Sequence, residues 1–328
     1  MKNLICSFTT LLLFVFLQSC TDHKEPYPEP ELLSSEVVFR GLKAPIGITL
    51  DDQNNIWVAE AGTGNGNDGS IAMITPSGTK TIFVTGLKSI TNEGSSEGVG
   101  HLLFRNGTLY FLHGSNGMLY TADVSSFKPG DAAVQLSSLP VQDIGTYVRS
   151  QALTDPLNSN TYNLTFGPDD DLYIVDSGSN AIIKRNSSKN GELSVFAHFP
   201  DVAKGVEAVP TGIVYDGTRF FVSTLTGFPF ALGNAKIFQV EKSGMISVYK
   251  SDFTTLTGIT LSVNNKPIVI QHGEFGEKGF GAMTGKVLDE NGKMLLGNIS
   301  RPTDIIRASA KSFYLLSYAD GTISKLSY

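Results

Sequence analysis

Several side chains of this sequence fall where a strand-built protein could use them together. Glu60, His113, Asp176 and His272 each follow a short apolar run, and His101, Asn163 and Asp304 each open one. Carboxylates and imidazoles move protons, while carboxylate and amide oxygens ligate hard cations such as calcium. Glu97 stands just before the run that His101 opens. Phe228 and Phe230 flank Pro229 and offer an apolar contact. Each residue also has a structural role open to it. Asp and Glu readily bond backbone N–H groups in the next loop, and a lone His is commonly a core residue. Convergence on one rim is what would set the group apart.

Three strings match chemical motifs only in letters. Residues 64–69 read GNGNDG, the spacing of a dinucleotide fingerprint, but a strand follows where the helix should be. Asn65, Asn67 and Asp68 of that loop could still offer oxygens to a hard cation, although the loop has no tandem calcium-repeat copy. Residues 94–98 read GSSEG, but a nucleophile elbow needs a strand-to-helix turn in an α/β sheet. Asp169, Asp170 and Asp171 lack the glycine and final glutamate of an EF-hand loop. The two cysteines build neither a disulfide framework nor a zinc site.

The elements that must position these residues are strands. Apolar runs open at 47–50, 101–104, 163–166, 212–215, 258–261 and 304–307. Each is followed by a short polar turn and a second run, at 56–59, 109–112, 172–175, 220–223, 267–270 and 313–316. Third and fourth runs follow in most units. The runs are short, rich in β-branched and aromatic residues, and bounded by Gly, Asn, Asp or Pro, and no sustained helical period competes with them. Starts 46 to 62 residues apart, with four strands per unit, predict an all-β, six-bladed β-propeller. The sixth unit stops after its third strand, and 36–40 has the character of a fourth. The N-terminal strand is therefore expected to complete the last blade and close the ring, which removes exposed sheet edges.

Ahead of that strand lies a targeting pattern. Lys2 precedes an apolar stretch, 4–17, too short to span a bilayer comfortably, and the stretch ends in Leu17-Gln18-Ser19-Cys20. That spacing resembles a bacterial lipobox. The expected organisation is a signal peptide over 1–19, a lipidated Cys20 with a Pro- and acid-rich tether over 20–35, and a propeller over 36–328. The chain would then be exported and membrane-anchored in the cell envelope, the outer membrane in a Gram-negative cell. Its 328 residues carry a formal charge of −6, which argues against nucleic acid as a partner. A closed propeller needs no second copy, so a monomer is expected.

The repeat pattern resembles NHL-type and TolB-like six-bladed propellers. More specifically, 58–64 (VAEAGTG), 209–213 (VPTGI) and 223–230 (STLTGFPF) look like the ScyD/ScyE family of exported propellers. The resemblance covers 36–328 and implies a fold more than a chemistry. Strand alternation places the long connections, 60–69, 89–100, 141–162, 201–211, 224–235 and 272–285, on one face around the central channel. That face is the expected ligand face, with Glu60, His101, His113, Asp176, Phe228, Phe230 and His272 directed toward it and 141–162 as a lid. Two readings stay open. One is a binding or accessory propeller that engages a small molecule, glycan or protein. The other is a calcium-dependent lactonase or esterase, by resemblance to gluconolactonase- and paraoxonase-type propellers, with Glu97, Asn163 and Asp304 as its ligands.

Overall fold

A short strand that buries one face needs neighbours, and here every run finds them in its own repeat. The structure, a computed structural model, describes residues 27–92 and 94–328; the signal pattern, Cys20 and His23 lie outside the described residues. Six antiparallel sheets stand around a central axis. Blade one is built on Pro45–Leu50, Ile56–Glu60, Asn65–Ile74 and Lys80–Asn92, blade two on Leu102–Arg105, Thr108–His113, Met118–Asp123 and Val141–Asp143. Blade three comprises Thr161–Phe166, Leu172–Asp176, Ala181–Arg185 and Leu193–His198, and blade four Pro210–Tyr215, Arg219–Thr224, Ala235–Glu241 and Ile246–Phe253. Blade five comprises Leu256–Leu261, Pro267–Gln271, Gly285–Asp289 and Met294–Ile299. The chain is an all-β six-bladed propeller.

Blade six closes the ring as the repeat arithmetic requires. Pro302–Ser309, Ser312–Ser317 and Thr322–Ser327 form its inner three strands, and Ser34–Arg40 pairs antiparallel with the third. The closing strand begins slightly earlier than expected. The residues before it are also engaged, where an extended tether was expected to run free of the ring. The Glu29 carboxylate accepts Ser262 Oγ (3.1 Å) and Asn264 Nδ2 (2.7 Å). The buried Leu33 donates its N–H to the Leu295 carbonyl (2.9 Å).

Blade two departs most from the repeat. Its fourth strand arrives only at Val141–Asp143, after a detour in which Val134–Gln135 runs parallel beside Val84–Thr85 of blade one. The detour has an apolar reason. Phe127 inserts against Phe83 and Trp57, with ring centroids 5.1 and 5.9 Å apart. The segment 141–162 is not a lid. The helix Gly145–Ser150 buries Val148 beside Leu112, Leu119 and Leu164, and only the residues from Asn158 onward reach the channel mouth.

The innermost strands set the site. In five blades the register between first and second strands slips at the first strand's beginning: after Pro45, Thr161, Pro210, Leu256 and Pro302. A bulge adds an unpaired residue and re-aims its side chain. The next layer is crowded. A Cβ on Gly47 would stand 2.6 Å from the His101 Cα, and one on Gly212 would stand 2.8 Å from the Ile259 N.

Closure of the ring should dominate stability. A chain starting at Gly41 is expected to melt at least about 10 °C below one starting at Tyr27, followed by circular dichroism, because an entire strand ladder is lost. Equal melting temperatures would show that the Ser34–Arg40 pairing is dispensable.

Candidate functional site

The bulged residues form the floor of a cavity of about 920 Å³ at the channel mouth on the long-loop face. Ile46, Tyr162, Thr211, Thr257 and Thr303 all line it. The floor is tied across the seams between blades. The hydroxyls of Thr211, Thr257 and Thr303 donate to the carbonyls of Leu256 (2.8 Å), Pro302 (2.9 Å) and Pro45 (2.8 Å). Ser177 does the same to Pro210 (2.6 Å). These carbonyls lie at bulges, where the ladder is interrupted, so side chains from the neighbouring blade satisfy them.

Two unlike walls rise from this floor. One is aromatic. Phe230 sits 5.0 Å from Phe275 and 5.5 Å from Phe280, ring centroid to centroid, and Phe228 caps the group at the mouth with 72% of its surface exposed. The opposite wall carries Asn158, Ser159, Asn160, Ser95, Ser96 and Ser115. Glu97, Glu207, Lys278 and Arg301 supply charge.

The expected ligand-face residues divide into those that meet in the cavity and those that support it. Phe228, Phe230 and His272 line it, as does Glu97, an expected calcium ligand. Both Glu97 oxygens lie 3.4 Å from Asn92 Nδ2. Glu60 is buried outside the cavity. Its carboxylate is paired with Lys80 Nζ (2.5 Å) and accepts the Lys43 N–H (2.7 Å). His113 is also buried, with Nε2 3.0 Å from the Lys88 carbonyl, and burial pushes its pKa down. Asp176 accepts Ser159 Oγ (2.6 Å) and the N–H groups of Asn160 (3.0 Å) and Ser179 (2.9 Å), so it shapes the polar wall from behind.

His101, Asn163 and Asp304 share one layer of the inner strands, beneath the floor, with Gly47, Gly212 and Gly258. His101 Nδ1 stands 2.9 Å from the Tyr162 carbonyl and donates to it, and Nε2 faces Asp304 Oδ2 at 3.6 Å. The Asp304 oxygens accept the N–H groups of Ile48 (2.9 Å) and Ile305 (2.8 Å), while burial pushes its carboxyl pKa up against the pull of His101 and these bonds. Asn163 Oδ1 accepts the Leu164 N–H (2.7 Å). Among the described residues no three His, Cys, Asp or Glu side chains stand where they could hold one metal ion. Of the three expected calcium ligands, Asn163 and Asp304 turn oxygens to backbone N–H groups beneath the floor, while Glu97 lines the cavity beside Asn92.

Sequence reasoning missed Tyr162, Phe275, Phe280, Arg301 and Tyr318. The string FGEKGF at 275–280 was a usable signal. It folds into a small hairpin, Phe275–Gly276 against Gly279–Phe280, that brings both rings to the wall. Arg301 had no signal beyond its place just before the sixth inner strand.

His272 links the aromatic wall to the floor. Its Nδ1 stands 3.0 Å from the Pro302 carbonyl and its ring 4.7 Å from that of Phe280. Burial, aided by Arg301 and opposed by the Pro302 bond, lowers its pKa to about 4. The unfolded chain takes up this proton near pH 6.5, the folded chain only near 4, so stability is full above 6.5 and falls as pH drops through that window. The loss is on the order of 3 kcal/mol. Urea unfolding at pH 7 and 4.5 should show a larger loss for the native chain than for His272→Gln. Equal losses would contradict a buried neutral His272.

Known proteins give likenesses of fold only. No family signature matches this chain, and no curated protein does. Among solved structures it is similar to virginiamycin B lyase from Staphylococcus aureus, at 16% identity and a TM-score of 0.51, over 90% of this chain and 99% of that one. It is similar to a structural-genomics protein of unknown function from Bacteroides thetaiotaomicron, at 11% identity and a TM-score of 0.60, over 90% of this chain and 76% of that one. It is also similar to the aldose sugar dehydrogenase of Streptomyces coelicolor, at 13% identity and a TM-score of 0.55, over 91% and 99%.

Proposed function

We propose that the chain is an exported binding or accessory propeller that holds a small organic molecule in the cavity of its long-loop face. The observation that carries this reading is the cavity's two-sided character. A phenylalanine wall confronts a serine and asparagine wall across about 920 Å³, within the size range of small-molecule sites. The concave shape favours a small molecule or short glycan over a protein surface. The alternative, a calcium-dependent hydrolase, would draw on Glu97 in the cavity and on Asn163 and Asp304 beneath its floor. The lyase and dehydrogenase neighbours lend the scaffold alone, because function resides in sites and not in folds.

Lipid attachment at Cys20, an envelope location and kinship with the ScyD/ScyE propellers belong to the same proposal. The first described residues support one consequence of it. Asn264 Nδ2 donates to the Tyr27 carbonyl (2.7 Å), and Asn264 lies in a short turn on the face opposite the cavity. The chain between Cys20 and Tyr27 reaches at most ~25 Å. An anchored domain would therefore sit with its short-loop face toward the membrane and its cavity opening away from it.

The uncharged dye N-phenyl-1-naphthylamine, which brightens in apolar sites, tests the binding reading. Saturable binding is expected, with Phe230→Ala weakening it about tenfold, the effect of losing roughly 1.5 kcal/mol of apolar contact. Absence of saturable binding, or binding indifferent to Phe230, would overturn the proposal.

A further inference from the structure

Arg301 enters the cavity without a carboxylate partner. Among the described residues no Asp or Glu oxygen lies within ion-pair distance of it, although Glu97 and Glu207 line the same cavity. Its guanidinium is nevertheless fixed. Nε–H donates to His272 Nε2 (3.2 Å), a nitrogen free to accept because Nδ1 faces the Pro302 carbonyl. One N–H of Nη2 donates to Ser95 Oγ (2.7 Å). The guanidinium carbon lies 4.9 Å from the centre of the Tyr318 ring and 5.7 Å from that of Phe280. Tyr318 is itself held, its hydroxyl accepting the Ser96 N–H (2.6 Å). Of the five N–H donors of an arginine, the remaining three have no protein acceptor among the described residues.

The backbone does not explain why an arginine stands here. Arg301 has φ 52, and the corresponding residues that lead into blades one, four and five, Ala44, Val209 and Thr255, share this left-handed conformation (φ 48, 46 and 39). The repeat is satisfied there by alanine, valine and threonine, so the long cation is particular to blade six. A cation with fixed orientation and unused donors beside an aromatic flank is built to receive an anion, since a planar guanidinium fork matches a carboxylate or sulfonate.

We propose that Arg301 is the anion anchor of the cavity, and that the ligand is an amphipathic organic anion whose carboxylate or sulfonate meets Arg301 while its planar apolar body lies along Phe280, Phe275 and Phe230. Phe280 touches both Arg301 and the other rings, so anchor and wall are continuous. The inference rests on the cavity being a binding site, and its test separates the two claims.

The test uses two dyes with the same ring skeleton. One is 8-anilinonaphthalene-1-sulfonate, the other the uncharged N-phenyl-1-naphthylamine. The native chain is expected to bind the sulfonate more tightly, and 500 mM salt to weaken only the sulfonate. Arg301→Gln should lose at least tenfold in sulfonate affinity and change less than twofold for the neutral dye. If Arg301→Gln melts well below the native chain, Arg301→Lys decides. It keeps the charge but not the fork, and should bind the sulfonate several-fold more weakly. Sulfonate binding unchanged in the well-folded Arg301→Gln, or in Arg301→Lys if that variant decides, would overturn the anchor and leave the binding site standing. Failure of the native chain to bind either dye would overturn both.

Discussion

Hydrogen-bond ladders run within a blade and stop at its faces, so everything in this molecule depends on how the seams between blades are joined at the axis. The inner strands approach until a Cβ at Gly47 or Gly212 would collide with backbone. At that range the bulged carbonyls of one blade come within reach of hydroxyls on the one before it. Thr211, Thr257, Thr303 and Ser177 use that reach. Asp304 adds a longer link by accepting the Ile48 N–H from blade one. The ring is thus held at its narrowest point by buried polar bonds, where each is well sheltered from water.

The cavity follows from the same geometry. Each bulge turns one residue up toward the mouth, and the long loops stand around that floor. The loops are in turn held by buried carboxylates. Asp176 pins the Asn158–Asn160 wall, and Glu60 ties the loop at Lys43 to the first blade. Polar groups beneath and behind the site therefore preorganise it, while the residues that face its interior are aromatic rings, small hydroxyls and amides, and a few charges. On the floor, burial raises the pKa of the Tyr162 hydroxyl, and beneath it His101 and Asp304 bond backbone groups.

Much of this was legible in the chain. Six inner runs at a near-regular spacing, with a leftover strand at 36–40, predicted both the blade count and the closure. Strand alternation also put the long connections together on one face, where the cavity opens, because the direction of a hairpin is a local property. What could not be read was which way a polar side chain turns at the end of its strand. Glu60, His113 and Asp176 end second strands and turn into loop backbone, whereas His272 stands one residue beyond a strand that ends at Gln271 and turns into the cavity. That choice is made by contacts distant in sequence, as is the detour of 124–140 that carries Phe127 to Trp57. Arg301 was illegible for the same reason. Among the described residues no carboxylate stands at ion-pair distance from it, which only the assembled ring reveals.

The most direct test of the binding account is crystallographic. Crystals of the propeller soaked with a mixture of small aromatic carboxylates and uncharged aromatics should show ligand density in the long-loop cavity, with rings against Phe280 and Phe275 and carboxylates on Arg301. Density confined to the short-loop face or the outer edges of the blades, with the cavity holding only water at the same ligand concentration, would contradict it.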